Sequence, residues 1–544
     1  MNKFAYILFF ATGSVTFAHA QETGREKTID ITSTFKPVLR EAAKINFNAS
    51  PPAVEGRRAV QPYQVPAQNL LFAYEPASIQ PLALPTDTSR PWQNSNYIKV
   101  GVGSVTIPYL QTGFSFGDGK SSFYNVFANH YNSKGSLDFQ KNSRTDVTAS
   151  AVYKTPGNLE WSGKLGFKSE EYFLYGYAPS TLEFNKEQVR QRYQTFGGKL
   201  GLRNLELTEF GLLYNPSLRI SVFSGSNDIN KATEANAVLN VPVQKAINDE
   251  FSVKLALTAD LSNYRPETGE DLQNNLFQVA PAVSYVNDRL ALTAGIIPSW
   301  QGGGFKMLPG FTADISTNNR NFTVQLGWVG EYDKGSYQRF AAINPWMALP
   351  DTLMNTRTQE LYAGFKGSAA DHFTYSAKVG YVTFHDRPLF VNNAVDGKSF
   401  ETLYAGSMQS LLMHGEIGYM QGETFSAKAQ LTINGFHMDD LPEAYGLNPV
   451  EFGADLRWKI IRNLWLNSDL LAFSGAPYRA ADLSSHTGQG GFDLSAGLEY
   501  KITRQFNLWF QANNIFNNKY QRWNQYPVYG FNILGGIIFS FDQK

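Results

Sequence analysis

Gly530-Phe531-Asn532-Ile533-Leu534-Gly535-Gly536-Ile537-Ile538-Phe539-Ser540-Phe541 is the stretch that decides the fold of this 544-residue chain. Read two apart, it divides into Phe531, Ile533, Ile537, Phe539 and Phe541 on one side and Asn532, Leu534, Gly536, Ile538 and Ser540 on the other. Successive strand side chains point to opposite faces, so one face is greasy and the other carries smaller or more polar groups. A strand so divided has lipid on one side and a wet interior on the other. It reads as the closing, membrane-inserting strand of an outer-membrane β-barrel.

The same alternation recurs upstream. Phe251, Val253, Leu255, Leu257, Ala259 and Leu261 interleave with Ser252, Lys254, Thr258, Asp260 and Ser262. Phe425, Ala427, Ala429, Leu431 and Ile433 do the same with Ser426, Lys428, Gln430, Thr432 and Asn434. A basic residue facing lipid at the bilayer midplane costs about 2–4 kcal/mol, so the charged sets must face water. Lys254, Asp260, Lys378, Lys428, Asp493, Glu499 and Lys501 are therefore expected on a lumen wall. Their mixed signs imply no strong ion preference.

Tight turns at Gly117-Asp118-Gly119, Thr155-Pro156-Gly157-Asn158, Gln421-Gly422 and Ile461-Arg462-Asn463 alternate with longer connections at 176–190, 262–272, 332–356 and 386–402. Short turns at one mouth and long loops at the other are the habit of such barrels. Two strands per short turn predict an all-β transmembrane antiparallel barrel of about 22 strands, within a range of roughly 16 to 22. Tyr172, Trp300, Trp328, Trp346, Trp458, Trp465, Trp509 and Trp523 are expected in the aromatic girdles. A secreted sandwich or propeller array would need linkers or a fixed repeat, and the sequence shows neither.

Composition agrees. Hydrophobic residues make up 43% of the chain and aromatic residues 14%, yet mean hydropathy is -0.29, so apolar groups are dispersed among polar ones. A net charge of zero argues against a nucleic-acid partner. Without cysteine the chain has no disulfides, thiolate metal sites or lipidated cysteine. Lys3, the apolar run from Phe4, and Ala18-His19-Ala20 read as an export signal over residues 1–20. Residues 21–94 hold Pro37, Pro51, Pro52, Pro62, Pro66, Pro76, Pro81, Pro85 and Pro91 and read as an extended periplasmic arm with one short helix near Val38 to Ile45. The barrel is expected over 95–544. Metalloprotease, Walker A, nucleophile-elbow and dinucleotide motifs are all missing, so no enzyme activity, cofactor or metal is expected. His385-Asp386-Arg387 and His437-Met438-Asp439-Asp440 are the densest ionisable clusters, and solvated turn chemistry accounts for them.

The stretch Leu508-Trp509-Phe510-Gln511-Ala512-Asn513-Asn514-Ile515-Phe516-Asn517-Asn518-Lys519-Tyr520, followed by Gly530-Phe531-Asn532-Ile533-Leu534-Gly535-Gly536 and Phe539-Ser540-Phe541, resembles the end of TonB-dependent receptors, and the intervening Tyr520-Gln521-Arg522-Trp523-Asn524-Gln525-Tyr526-Pro527 is similar to a Bacteroidetes-type group of them. Asn513, Asn514 and Asn517 tolerate turn conformations, and Phe541 suits an interfacial anchor. The resemblance is specific over the last 40 or so residues and architectural elsewhere. It implies a cell outer-membrane location, lipid contact, and transport of a solute too large for general porins. Thr28-Ile29-Asp30-Ile31-Thr32-Ser33 is similar to the extended box that pairs with TonB by strand addition. The front departs from the family pattern, since a Pro-rich arm stands where the family has a folded plug. Two function classes stay open: a transporter served by TonB or a surface lipoprotein, and a non-transporting barrel subunit of an assembly or secretion complex. Either way the lumen needs an occluder, for which the arm, the outer loops and a partner protein are the candidates.

Overall fold

The computed structural model describes residues 95–542, apart from 228–229, 318–320 and 371. The export signal, the arm at 21–94 and the TonB-box-like segment Thr28 to Ser33 lie outside the described residues. So does the question of a plug.

Twenty-two antiparallel strands form one closed barrel. In chain order they are β1 (Ser95–Gly103), β2 (Thr106–Phe116), β3 (Ser122–Lys134), β4 (Lys141–Lys154), β5 (Leu159–Phe173), β6 (Arg190–Asn204) and β7 (Ser217–Ser226). Then come β8 (Lys231–Ala246), β9 (Phe251–Pro266), β10 (Leu276–Val286), β11 (Leu290–Gln301), β12 (Gly304–Ser316), β13 (Phe322–Asp333), β14 (Thr356–Ala369) and β15 (Phe373–His385). The last seven are β16 (Met408–Gln421), β17 (Phe425–Met438), β18 (Val450–Ile461), β19 (Leu464–Phe473), β20 (Gly491–Lys501), β21 (Phe506–Asn513) and β22 (Asn532–Asp542). Each pairs with its chain neighbour, and β22 pairs with β1 from Asp542↔Ser95 to Leu534↔Gly103. Closure leaves no unpaired sheet edge, the condition for a sheet to cross lipid. Among the described residues no helix is long and apolar enough to cross a membrane.

The period-2 reading holds along the wall. Leu255, Leu257 and Leu261 are exposed on the outer surface, and Phe531, Ile533 and Ile537 likewise. Phe539 continues that row, with its ring 5.5 Å from Phe541 and 5.0 Å from Phe506 of β21. An apolar outer surface on a closed barrel is a lipid-facing one, so this is an outer-membrane protein. One mouth carries the tight turns. At β2–β3, Asp118 accepts backbone N–H groups of Lys120, Ser121 and Ser122, while Gly117 and Gly119 take positive φ values of 126° and 68°. The other mouth carries the connections 174–189, 267–275, 334–355, 386–407, 439–449, 474–490 and 514–531. The sequence boundary at 262–272 is corrected: β9 runs on to Pro266, where it pairs with Ala232.

The seam holds a small core inside the lumen. Trp509, on β21, lies over Gly536 of β22 and Gly101 of β1, where a Cβ on Gly101 would come within 2.4 Å of the indole. Its Nε1–H donates to the Val100 carbonyl oxygen at 3.2 Å, and the Lys99 ammonium sits 4.0 Å from its ring centre. Leu534, Ile538, Tyr97 and Tyr109 pack around it. This overturns the girdle assignment for Trp509. Its odd-numbered neighbours Asn507 and Gln511 already marked its face as the wet one.

Candidate functional site: the lid at the loop mouth

The outer connections fold inward. In 334–355, helix α2 (Tyr337–Ile343) starts at Ser336, whose Oγ accepts the Arg339 N–H at 3.1 Å, and ends at Asn344. Tyr337, Phe340 and Ala341 recur at helical spacing and are buried. In 174–189, the single turn α1 (Lys186–Val189) is held by a reciprocal Asn185–Gln188 capping box and buries Val189. In 386–407, Arg387–Asn392 pairs with Phe400–Ala405 as a hairpin. In 514–531, Gln521–Trp523 pairs with Tyr526–Pro527.

These pieces share one core. Trp346 stacks on Tyr526 with ring centres 4.1 Å apart, and Tyr175 meets Tyr526 edge-on at 4.9 Å. Trp523 lies 5.3 Å from Phe400 and 5.7 Å from Phe390, and Phe390 lies 6.0 Å from Phe340. The core then joins the wall. Tyr337 rests on Phe223 of β7 at 5.0 Å, Tyr264 of β9 at 5.5 Å and Tyr193 of β6 at 6.2 Å. Gly225 makes that seat, since a Cβ there would collide with the Tyr337 ring.

Polar groups tie the lid to the wall. Glu234 of β8, only 2% exposed, accepts the Tyr337 N–H at 3.2 Å and the Gln338 N–H at 2.9 Å, placing a carboxylate on the helix N-terminus. Lys334 lies 3.4 Å from the Asp260 carboxylate and donates to the backbone oxygens of Asp260 and Asn274. Burial lowers the Lys334 ammonium from its ordinary range, and the Asp260 charge opposes that shift. Asn274 and Asn355 exchange amide hydrogen bonds at 2.7 and 2.9 Å, and Asn355 also reaches Gln301 of β11 at 2.8 Å. Tyr193 Oη donates to the Pro345 oxygen at 3.0 Å, and the Trp346 indole donates to the Phe173 oxygen at 3.1 Å. Asn514 and Asn517, at positive φ values of 48° and 53°, bend the chain out of β21 into its part of the lid.

One sequence expectation, the girdle placement of the large rings, changes here. Tyr172, Trp346 and Trp523 are lid core, whereas Trp300, Trp328 and Trp458 do face outward. Trp465 stands near Lys459, 5.5 Å from its ring centre. The outer loops, one of the three candidate occluders, pack inward on one another and on the wall at the loop mouth. The ionisable clusters serve turns: Asp440 accepts the Gly406 N–H at 2.7 Å, His385 Nδ1 lies 3.3 Å from the Gly406 oxygen, and His437 lies 3.5 Å from Asp439. The signal that could have found the lid was the ring density of 337–346 and 520–529, where turn residues would be expected.

No family model and no curated protein sequence matches the chain. Solved structures do. The FrpB iron transporter of Neisseria meningitidis superposes with a TM-score of 0.66 at 10% identity, covering 82% of this chain and 81% of its own. The barrel has the fold of TonB-dependent receptors. The pyoverdine receptor FpvA of Pseudomonas aeruginosa PAO1 gives 0.62 at 11% identity, covering 82% and 79%. The siderophore receptor PirA of Acinetobacter baumannii gives 0.61 at 10% identity, covering 82% and 80%.

Proposed function

We propose that this TonB-dependent-receptor-like barrel transports a solute across the outer membrane, and that its lid of outer loops is the gate. The observation that carries the reading is the lid itself, a separate cluster of loop residues seated on the wall through the rings of Tyr337 and Trp346 and a few polar ties. A lumen of 22 strands is wide enough for solutes larger than those of general porins. The names of its structural neighbours, an iron transporter and siderophore receptors, support a transport role. On this reading Thr28 to Ser33 pairs with TonB, and a surface lipoprotein delivers solute.

The cysteine-free chain offers a clean test. Ser221 Oγ and Gln338 Oε1 lie 3.4 Å apart across the wall and lid, so Ser221→Cys with Gln338→Cys, bridged by a short reducible bifunctional thiol reagent that spans the length lost from the glutamine, should lock the gate. In planar bilayers, Tyr337→Ala should conduct ions, and the bridged double-cysteine protein should not until it is reduced. Silence from both the reduced lock and Tyr337→Ala would remove the support for a gate.

One observation favours the second reading, a closed barrel serving as a subunit of an assembly or secretion complex. The lid core is continuous and buried, as in a domain that never opens. A mild-detergent pull-down from native outer membranes separates the two. TonB or a lipoprotein, lost on deleting 28–33, speaks for transport, and assembly or secretion components speak against it.

A further inference from the structure

Three prolines cluster in the wall. Pro281 of β10, Pro298 of β11 and Pro309 of β12 lie within their strands and on the lipid side, in the same alternation as the exposed Val283, Ile296 and Met307. Proline has no N–H for a ladder, and a closed barrel has no edge strand to keep it on. The rungs are missing accordingly. β10 pairs with β11 from Leu276↔Gln301 to Gln278↔Ser299 and again from Ala282↔Gly295 to Val286↔Ala291. Between these, Val279, Ala280 and Pro281 face Pro298, Ile297 and Ile296 without a rung, over roughly 13 Å at the rise of an antiparallel strand. Pro281 keeps its place opposite Leu255 of β9, and Pro298 opposite Met307 of β12, so the missing rungs are those between β10 and β11. Pro309 stands one residue beyond the last rung between β12 and β13, Gly310↔Val329.

Around the break the wall is apolar on both faces. Toward lipid the rows are Pro281–Ile296–Pro309 and Val279–Pro298–Met307. Toward the lumen they are Ala282–Gly295–Gly310 and Ala280–Ile297–Leu308. The next lumen rows on either side are polar, with Gln278–Ser299–Lys306 toward the loop mouth and Ser284–Thr293–Thr312 toward the turn mouth. Gln278 donates to Ser299 Oγ at 3.1 Å, and the Ser284 and Thr293 hydroxyls lie 3.1 Å apart, so the apolar block has a polar border at both ends. Unmade rungs are expensive in hydrocarbon, and a wet lumen wall is not improved by an isoleucine. Folding alone rewards neither.

We propose that β10, β11 and β12 frame a side port in the wall that takes the hydrocarbon chain of a membrane lipid. Its outer mouth lies on the lipid surface, among the exposed Val283, Ile296 and Met307, and this sets both the chemistry of the occupant and the side it comes from. An acyl chain entering between 279–281 and 296–298 has no rung to break, and it meets Ala280, Ile297 and the buried Leu308 on the far side. Three rungs, from Leu276↔Gln301 to Gln278↔Ser299, bound the port toward the loop mouth. Asn355 of the lid ties the last of them by donating to Gln301 at 2.8 Å. The port gives an acyl-tailed molecule a way between bilayer and lumen that does not pass the lid. The inference does not depend on whether the lid opens.

The test uses single thiol labels, which a cysteine-free chain permits. Ile297→Cys, Val283→Cys and Thr293→Cys each receive a thiol-reactive fluorophore. The full mature protein is then placed in phosphatidylcholine vesicles whose acyl chains are either brominated at mid-length or plain. Bromine quenches on contact, so each label reports whether hydrocarbon reaches it. A port predicts that the label at 297, on the lumen face, is quenched on the scale of the lipid-facing label at 283, while the lumen-facing label at 293 is not. Pro281→Val with Pro298→Val restores two N–H donors and should cut quenching at 297 several-fold while leaving 283 as it was. A label at 297 as unquenched as that at 293, or one whose quenching ignores the two valines, overturns the proposal. The comparison of 297 with 293 stands without the valine variant, and quenching at 283 with heat-modifiable gel mobility shows that each barrel is folded and inserted.

Discussion

Wall and lid use the same rings in opposite ways. On the wall, Trp300 and Trp328 are more than two-fifths exposed, at 43% and 49%, and their business is with lipid. In the lid, Trp346 and Trp523 are buried at 3% and 4% exposure, and their business is with other rings. The wall is specified by a closed ladder of paired strands, each registered against two neighbours. The lid has four short pieces of secondary structure and is specified by what they bury together. A hydrogen-bonded ladder closed on itself gives way as a whole, whereas a cluster seated on the wall by Tyr337, Trp346 and a few polar ties can give way alone.

If that division is right, damage to the lid should leave the wall intact. The largest effect is expected from Tyr337→Ala, which removes a fully buried ring from between Tyr193, Phe223 and Tyr264 and should cost the lid about 3–5 kcal/mol. Proteolytic cleavage within 334–355 should rise steeply, while heat-modifiable migration of the barrel stays as it was. Alkali should come next. Burial holds the phenols of Tyr337 and Tyr526 well above their ordinary value. A phenol raised on folding contributes fully below its unfolded pKa, about 10, and that contribution is lost as pH climbs past it. Tryptophan emission of the lid should therefore begin to shift near pH 10 and go on shifting above it, before far-ultraviolet dichroism reports loss of strands.

Glu234→Gln should weaken the lid by about 1–3 kcal/mol, since an amide offers one acceptor oxygen where the carboxylate serves two helix N–H groups. Hydrogen exchange at the first turn of α2 reads this directly. Asn355→Ala should cost about 1 kcal/mol by the same measure at Gly335 and Asn274. The smallest effect is the sharpest test of the contrast: Trp328→Ala, on the lipid face, should change lid exchange and cleavage by nothing measurable. Should Trp328→Ala open the lid as Tyr337→Ala does, the two regions are one cooperative unit.

The wall was legible because its information is local. A strand with Leu255, Leu257 and Leu261 on one face and Lys254, Thr258 and Asp260 on the other states its two media within eight residues. The turns state theirs in glycine, asparagine and aspartate. The lid was not legible, because a ring near a strand end reads alike whether it turns to lipid or to the lumen. What decides Trp346 is Tyr526, far along the chain, and what decides Tyr337 is Tyr193. Trp509 is the exception, since parity with Asn507 and Gln511 gave its face and its strand-end position concealed it.

A sheet rolled into a tube has one line where its two ends meet, and that line is where unrolling would begin. Here the indole of Trp509 straddles it. To peel β1 away from β22, the barrel must break not only the rungs between them but also a hydrogen bond to Val100 anchored one strand further in, together with a cation lodged against the ring. The joint is riveted through three thicknesses, so the first and last strands to be made are no easier to part than any other neighbours in the tube.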